Sequence, residues 1–77
     1  MEEKIRRFIQ VEILKDPDRQ IAGDEPLISS GLIDSFSLVD IALFVEEEFG
    51  VRIDDSELSA EVFDTLDELS TLISTRK

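Results

Sequence analysis

The segment that begins at Asp34 or Ser35 and ends at Phe49 carries the strongest helical pattern in the chain, and it limits the possible folds more than any other feature. At about 100° per residue, its main apolar side chains fall on one arc wide enough to face a core. Gly50 follows directly and is typical of a residue that ends a helix. The core-facing residues are Leu38, Ile41, Ala42, Val45 and Phe49. The sequence therefore predicts a helix packed against other elements.

Further helices are predicted on both sides of this one. Residues 2–14 place apolar side chains at the i, i+3, i+4 and i+8 spacing of an amphipathic helix, and the last segment, capped by Asp64 or Thr65, has a similar stripe. Residues 54–59 suit one or two helical turns. The two stripes consist of Ile5, Phe8, Ile9 and Ile13, and of Leu66, Leu69, Leu72 and Ile73. Since no segment shows sustained strand alternation, we expect an all-α fold: a small four-helix bundle with three main helices and a short third helix.

A long loop of about 18 residues joins the first two helices, and loops of this length are usually functional or packed by their own side chains. Its apolar residues are Ile21, Leu27, Ile28, Leu32 and Ile33. After the second helix, Val51 and Ile53 alternate around Arg52 in a short extended link. We expect these apolar side chains to complete the core.

Several classes of protein are excluded by composition. The 77 residues include no cysteine and no histidine, so we expect no disulfide, no zinc site, no thiol nucleophile and no Ser-His relay. The length predicts a single domain over residues 1–77. No apolar run approaches the roughly 20 residues of a membrane span, and no signal peptide is recognised, so a cytoplasmic location is expected.

Charge is distributed unevenly along the chain. The formal net charge is −11, and residues 20–75 contain fourteen acids but only one cation, Arg52. Such a surface repels nucleic acid and anionic membranes, because affinity for phosphates comes largely from Lys and Arg. We therefore expect a monomer whose partner presents a basic protein surface.

The second helix is apolar on two sides. Phe36 and Leu43 project roughly opposite the core arc, together with Asp40 and Glu47, and Phe44 lies a little further round the same side. Apolar groups interleaved with acids are typical of a docking surface. Alternatively, Phe36 packs under the long loop and the acids form a solvated face. If the helix does dock, an unmodified acidic adaptor that binds a basic partner is one possible function.

Ser35 at the start of this helix has two interpretations. By position alone it is an N-cap, although neither Ser35 nor Asp34 forms a capping box with the residue three places later. Alternatively, its hydroxyl is an attachment point beside the positive end of the helix, where a phosphate is tolerated. Without a histidine, a GxSxG elbow or a nearby cation, Ser35 is not expected to be a nucleophilic catalyst, and we predict no catalytic residue.

The residues LISSGLIDSFSLVDIALFVEEEFGVRI, followed by FDTLDEL, resemble the acyl carrier protein family, including its peptidyl and D-alanyl carrier relatives. The similarity covers nearly the whole chain and implies a carrier rather than an enzyme. In that family the serine after the aspartate carries phosphopantetheine, which implies that Ser35 is the attachment residue. The cargo would be held as a thioester, and other enzymes would supply the chemistry.

The resemblance also implies partners and a recognition surface. A phosphopantetheinyl transferase would move phosphopantetheine from coenzyme A onto Ser35. Acyl- or aminoacyl-activating and acyl-transferring enzymes with basic docking surfaces would then act on the modified carrier. Positions that look like the family's partner-recognition surface are Asp34, Phe36, Asp40, Leu43, Glu46 and Glu47.

Some residues depart from the pattern of fatty-acid synthesis. Phe36 replaces the usual leucine, Ser37 stands where an acid is common, and SSGLI precedes Asp34. This sequence motif looks more like that of stand-alone carriers of D-alanyl, aminoacyl or specialised-metabolite pathways. The residues therefore do not identify the cargo.

Overall fold

The computed structural model describes residues 2–76, and within that range it contains three main helices and no strand. Helix α1 (Glu2–Phe8) continues into a π-helix (Ile9–Ile13), α2 covers Ser35–Phe49, and α3 covers Leu66–Arg76. The predicted helical bundle is confirmed. Its short third helix is a single 3₁₀ turn over Asp55–Glu57.

The core lies where α1, α2, α3 and the long loop meet. The side chains that the sequence placed on the core faces of the three helices are buried or half-buried, and Phe63 is 1% exposed. Fully or nearly buried are Ile5, Ile9, Ile21, Leu27, Ile33, Leu38, Ile41, Val45, Val51, Ile53, Phe63, Leu66, Leu69 and Ile73. Because the loop contributes three of these residues, it forms part of the core.

The first helix differs from the regular helix predicted over residues 2–14. From Ile9 onward it is a π-helix, in which the Leu14 N–H donates to the Ile9 carbonyl at 2.8 Å. A π turn contains more residues than an α turn, so the residues after it are rotated relative to the α-helical stripe. Leu14, which falls off that stripe, consequently packs against the core.

Asp64, just before α3, ties the long loop to the bundle. Its Oδ1 accepts from the N–H groups of Ile28 and Ser29 at 2.7 and 2.9 Å, and its Oδ2 accepts from the Ser29 hydroxyl at 2.5 Å. The Leu27 N–H donates to the Asp64 carbonyl at 2.6 Å. These hydrogen bonds satisfy polar groups that the buried Leu27 would otherwise bring out of water.

Hydrogen bonds at both ends stabilise the 3₁₀ turn. Asp54 and Glu57 form a capping box, in which the Asp54 N–H donates to Glu57 Oε1 at 3.1 Å. The Arg76 guanidinium donates to both carboxylate oxygens of Glu57, with Nη1 at 2.8 Å from Oε1. These hydrogen bonds, chiefly from Arg76, lower the pKa of Glu57 to about 2. The turn therefore joins the end of α3 to the segment that leaves α2.

Candidate functional site

The amino terminus of α2 is capped by Asp34. The Asp34 backbone is extended, and its Oδ1 accepts from the Ser37 N–H at 2.8 Å. Ser35 is consequently the first residue of the helix, and its interpretation as the N-cap is wrong. At the other end, Gly50 adopts φ 69° and its N–H donates to the Glu46 carbonyl. This left-handed conformation carries little strain in glycine, which ends the helix at Phe49.

The Ser35 hydroxyl is available at the surface. Ser35 is exposed, and its hydroxyl has no hydrogen-bond partner among residues 2–76. Three other serines differ from Ser35: Ser29 donates to Asp64, Ser30 donates to the Pro26 carbonyl at 2.7 Å, and Ser70 has a buried hydroxyl. Ser56 and Ser74 are exposed like Ser35, but neither lies at the amino terminus of α2. The capping by Asp34 leaves Ser35 accessible because the aspartate satisfies the helix N–H that a serine cap would otherwise bind.

The charge beside Ser35 is fixed by the same cap. Hydrogen bonds from Ser37, first from its backbone N–H, lower the pKa of Asp34. Asp34 is therefore ionised at neutral pH, and it lies in front of the positive end of the α2 dipole. The chain has no histidine that could take the proton of the Ser35 hydroxyl. The site can present a hydroxyl, but activation of that hydroxyl requires a base from another protein.

The residues predicted for partner recognition lie on the exposed side of α2. Phe36 is 84% exposed and Leu43 is 52% exposed, so the alternative in which Phe36 packs under the loop is wrong. Their neighbours on this surface are acids that make no ion pair among the described residues. We define the recognition face as the exposed residues Asp34, Ser35, Phe36, Val39, Asp40, Leu43, Glu46 and Glu47.

Val39 and Phe44 lie differently from what the sequence pattern predicted. Val39 is 46% exposed and belongs to the face, although it is not among the predicted recognition residues. Its position one turn after Ser35 is the signal that identifies it. Phe44 turns away from the face and is half-buried, with its ring stacked on that of Phe8 at a centroid distance of 4.3 Å. The aromatic contact with α1 explains this placement, since it removes part of each ring from water.

Grooves border the recognition face on both sides. One, of about 410 Å³, lies between α1 and α2, and the other, of about 250 Å³, lies between α2 and the link that contains Arg52 and Ile53. Leu43 lines both grooves. The face is therefore a ridge with an apolar residue at its centre and depressions on either side.

Within residues 2–76, no three acidic side chains are grouped closely enough to hold a metal ion. None of the helices in that range has the length and apolarity needed to cross a bilayer.

Comparison with known proteins identifies the family. The model of the phosphopantetheine attachment site family matches residues 3–73, which is nearly the whole chain. No curated protein and no solved structure shows significant similarity. Members of the matched family are non-catalytic carriers that hold phosphopantetheine covalently and interact with modifying and biosynthetic enzymes. The chain therefore belongs to the phosphopantetheine attachment site family and is a carrier protein, not an enzyme.

Proposed function

We propose that Ser35 is the residue that carries phosphopantetheine and that the protein presents acyl or aminoacyl intermediates to partner enzymes. The observation that carries this proposal is the exposed hydroxyl of Ser35 at the first position of α2, which makes no hydrogen bond among residues 2–76. When bound, phosphopantetheine supplies a terminal thiol on which such a cargo is held as a thioester.

The surroundings of Ser35 fit a phosphodiester on its oxygen. The positive end of the α2 dipole favours a negative charge at this position. Asp34 opposes it by like-charge repulsion, so the site tolerates a covalently attached phosphate without being a strong binder of free phosphate. In the transfer, the Ser35 oxygen bonds to the phosphorus that bears the pantetheine arm of coenzyme A, the pyrophosphate P–O bond breaks, and adenosine bisphosphate leaves. The hydroxyl proton goes to a base of the modifying enzyme, because this chain supplies no histidine.

The recognition face supports a role in docking. Phe36 is the most exposed large apolar side chain within residues 2–76, and it adjoins Ser35. Burial of Phe36, Val39 and Leu43 against an enzyme provides affinity, whereas Asp40, Glu46 and Glu47 select a basic surface. The proposed partners are a phosphopantetheinyl transferase and the acyl- or aminoacyl-activating and transferring enzymes that load and unload the carrier.

Mass spectrometry tests the attachment residue. The protein is incubated with coenzyme A and a broad-specificity phosphopantetheinyl transferase, and we expect a mass gain of one phosphopantetheine. Ser35→Ala should abolish the gain. Ser74→Ala is the matched control, because Ser74 is an exposed serine on α3 and its loss should leave the gain intact. A gain that persists in Ser35→Ala would contradict the assignment.

A further inference from the structure

The groove between the first helix and α2 is lined by four apolar side chains, which we call its floor, and four charged side chains, which we call its rim. Its volume is about 410 Å³, and the floor consists of Phe8 and Phe44, whose rings stack, with Ile13 and Leu43. The charged side chains that line it are Glu12, Lys15, Asp40 and Glu47. Glu12 and Ile13 come from the π-helical part of the first helix, so the groove is not a property of α2 alone.

The carboxylates on this rim are not neutralised within the described residues. Glu12, Asp40 and Glu47 form no ion pair there, whereas nearby Glu48 pairs with Lys4 at 3.6 Å. With three carboxylates and one ammonium group, the rim keeps a net negative charge even with Lys15 present. A depression with an apolar floor and an anionic rim complements a side chain with an aliphatic stem and a cationic end.

The groove also lies within reach of an enzyme that acts on Ser35. Asp40 and Glu47 are five and twelve residues after Ser35, which places them about 8 and about 18 Å further along the helix axis. A typical interface covers about 800 Å² on each partner, which is a patch of about 16 Å radius. Centred on Ser35, such a patch includes Asp40 and ends about 2 Å short of Glu47. A transferase must contact the Ser35 oxygen itself, whereas loading enzymes act on the far end of the prosthetic group. The transferase is therefore the partner most constrained to cover this groove.

We propose that the groove between α1 and α2 is a docking subsite that takes a lysine or arginine side chain of the phosphopantetheinyl transferase. The stem of that side chain packs on Phe8, Phe44 and Leu43, and its cation lies between Glu12 and the carboxylates of Asp40 and Glu47. This inference rests on the proposed attachment at Ser35. It adds Phe8 of α1 and Glu12 of the π-helix to the surface that the transferase recognises.

A charge reversal in the π-helix tests the subsite. We expect Glu12→Lys to lower the kcat/KM of modification about tenfold at low ionic strength. Glu61→Lys is the matched control: Glu61 is exposed, lines neither groove of the recognition face, and changes the net charge equally, so we expect a loss of no more than about twofold. The milder Glu12→Gln should lie between these values, and it keeps the test valid if Glu12→Lys unfolds. Equal losses in Glu12→Lys and Glu61→Lys would overturn the subsite.

Removal of the Lys15 cation from the groove should change the kcat/KM of modification in the direction opposite to Glu12→Lys. Lys15→Gln should raise kcat/KM about twofold because the rim becomes more negative. Arg7→Gln removes the same charge outside this groove and should have a smaller effect. A decrease in Lys15→Gln would overturn the proposal. The two hypotheses remain distinguishable, because loss of the Ser35 assignment appears as a mass gain that persists in Ser35→Ala, whereas loss of the subsite leaves modification at Ser35 intact.

Discussion

The amino termini of α2 and α3 begin with the same kind of dipeptide and use it in opposite ways. In α2, Asp34 caps the helix and the hydroxyl of Ser35 is exposed. In α3, the Thr65 hydroxyl accepts from the Glu68 N–H at 3.1 Å, and the carboxylate of Asp64 binds the long loop instead. The residue that caps the helix thus determines whether the adjacent hydroxyl is structural or accessible.

The difference has a local cause. Thr65 is followed three residues later by Glu68, whose Oε1 accepts from the Asp64 N–H at 2.8 Å, so this terminus has nearly the reciprocal pattern of a capping box. Ser35 is followed three residues later by Leu38, which is buried and cannot accept a hydrogen bond through its side chain. Asp34 is left as the cap of α2, and its neighbour keeps a hydroxyl that can be modified.

The largest effect that we expect comes from removal of the Ser35 and Thr65 hydroxyls: one substitution should affect modification and the other should affect stability. Ser35→Ala should abolish modification by the transferase and change the free energy of unfolding by less than about 0.5 kcal/mol. Thr65→Ala should leave modification intact and cost about 1 kcal/mol, because the N-cap hydrogen bond is lost. Mass spectrometry and urea titration measure the two quantities. The comparison would fail if Ser35→Ala destabilised the protein as much as Thr65→Ala.

Removal of each aspartate should show the next largest effect. Asp64→Ala should lower the urea midpoint more than Asp34→Ala, because Asp64 accepts three hydrogen bonds that bind the loop, whereas Asp34 accepts one at the helix end. Exchange of the Ile28 and Ser29 amide hydrogens should become faster in Asp64→Ala only. Equal losses would mean that the loop is held mainly by its buried apolar residues.

Lowering the pH should also show that Asp64 contributes more to stability than Asp34. Hydrogen bonds lower the pKa of Asp64, chiefly from Ser29, and that of Asp34, chiefly from Ser37. A lowered pKa in the folded state gives stability that is present above the ordinary pKa and is lost as the pH falls through the folded value. Because the Asp64 carboxylate accepts three hydrogen bonds and that of Asp34 accepts one, we expect the stability difference between the wild type and Asp64→Asn to shrink more, between about pH 5 and about pH 2, than that for Asp34→Asn. Since general charge repulsion is nearly the same in all three proteins, these differences isolate the cap at Asp34 and the hydrogen bonds between Asp64 and the loop.

Salt should have the smallest effect and act on neither terminus specifically. Because the net charge is −11, sodium chloride added from about 0.02 to about 0.5 M should raise the melting temperature of the wild type by screening repulsion. The rise should be similar in Ser35→Ala and Thr65→Ala, since neither substitution changes the charge. A flat or falling series would show that charge repulsion does not limit stability.

The helices could be predicted from the sequence mainly because their apolar residues recur with the helical period. The core faces of α2 and α3 and the end of α2 at Gly50 could be predicted because hydrophobic spacing and a left-handed glycine are local signals. The π-helix at Ile9–Ile13 could not, since no residue type marks the point where an α turn widens. The turn of Phe44 toward Phe8 also escaped prediction, because a stacked pair depends on how two helices pack.

The sequence by itself determined that this protein is an acidic helical bundle whose second helix has a core side and an exposed side. Both are consequences of residue type and helical period, which are local quantities. Only the tertiary structure decided which of Asp34 and Ser35 caps α2, that Asp64 holds the loop instead of its own helix, and that Glu12 joins Asp40 and Glu47 around one groove. The reason is physical: a carboxylate or hydroxyl has several possible partners of similar strength, and the choice among them depends on groups that are distant in the chain.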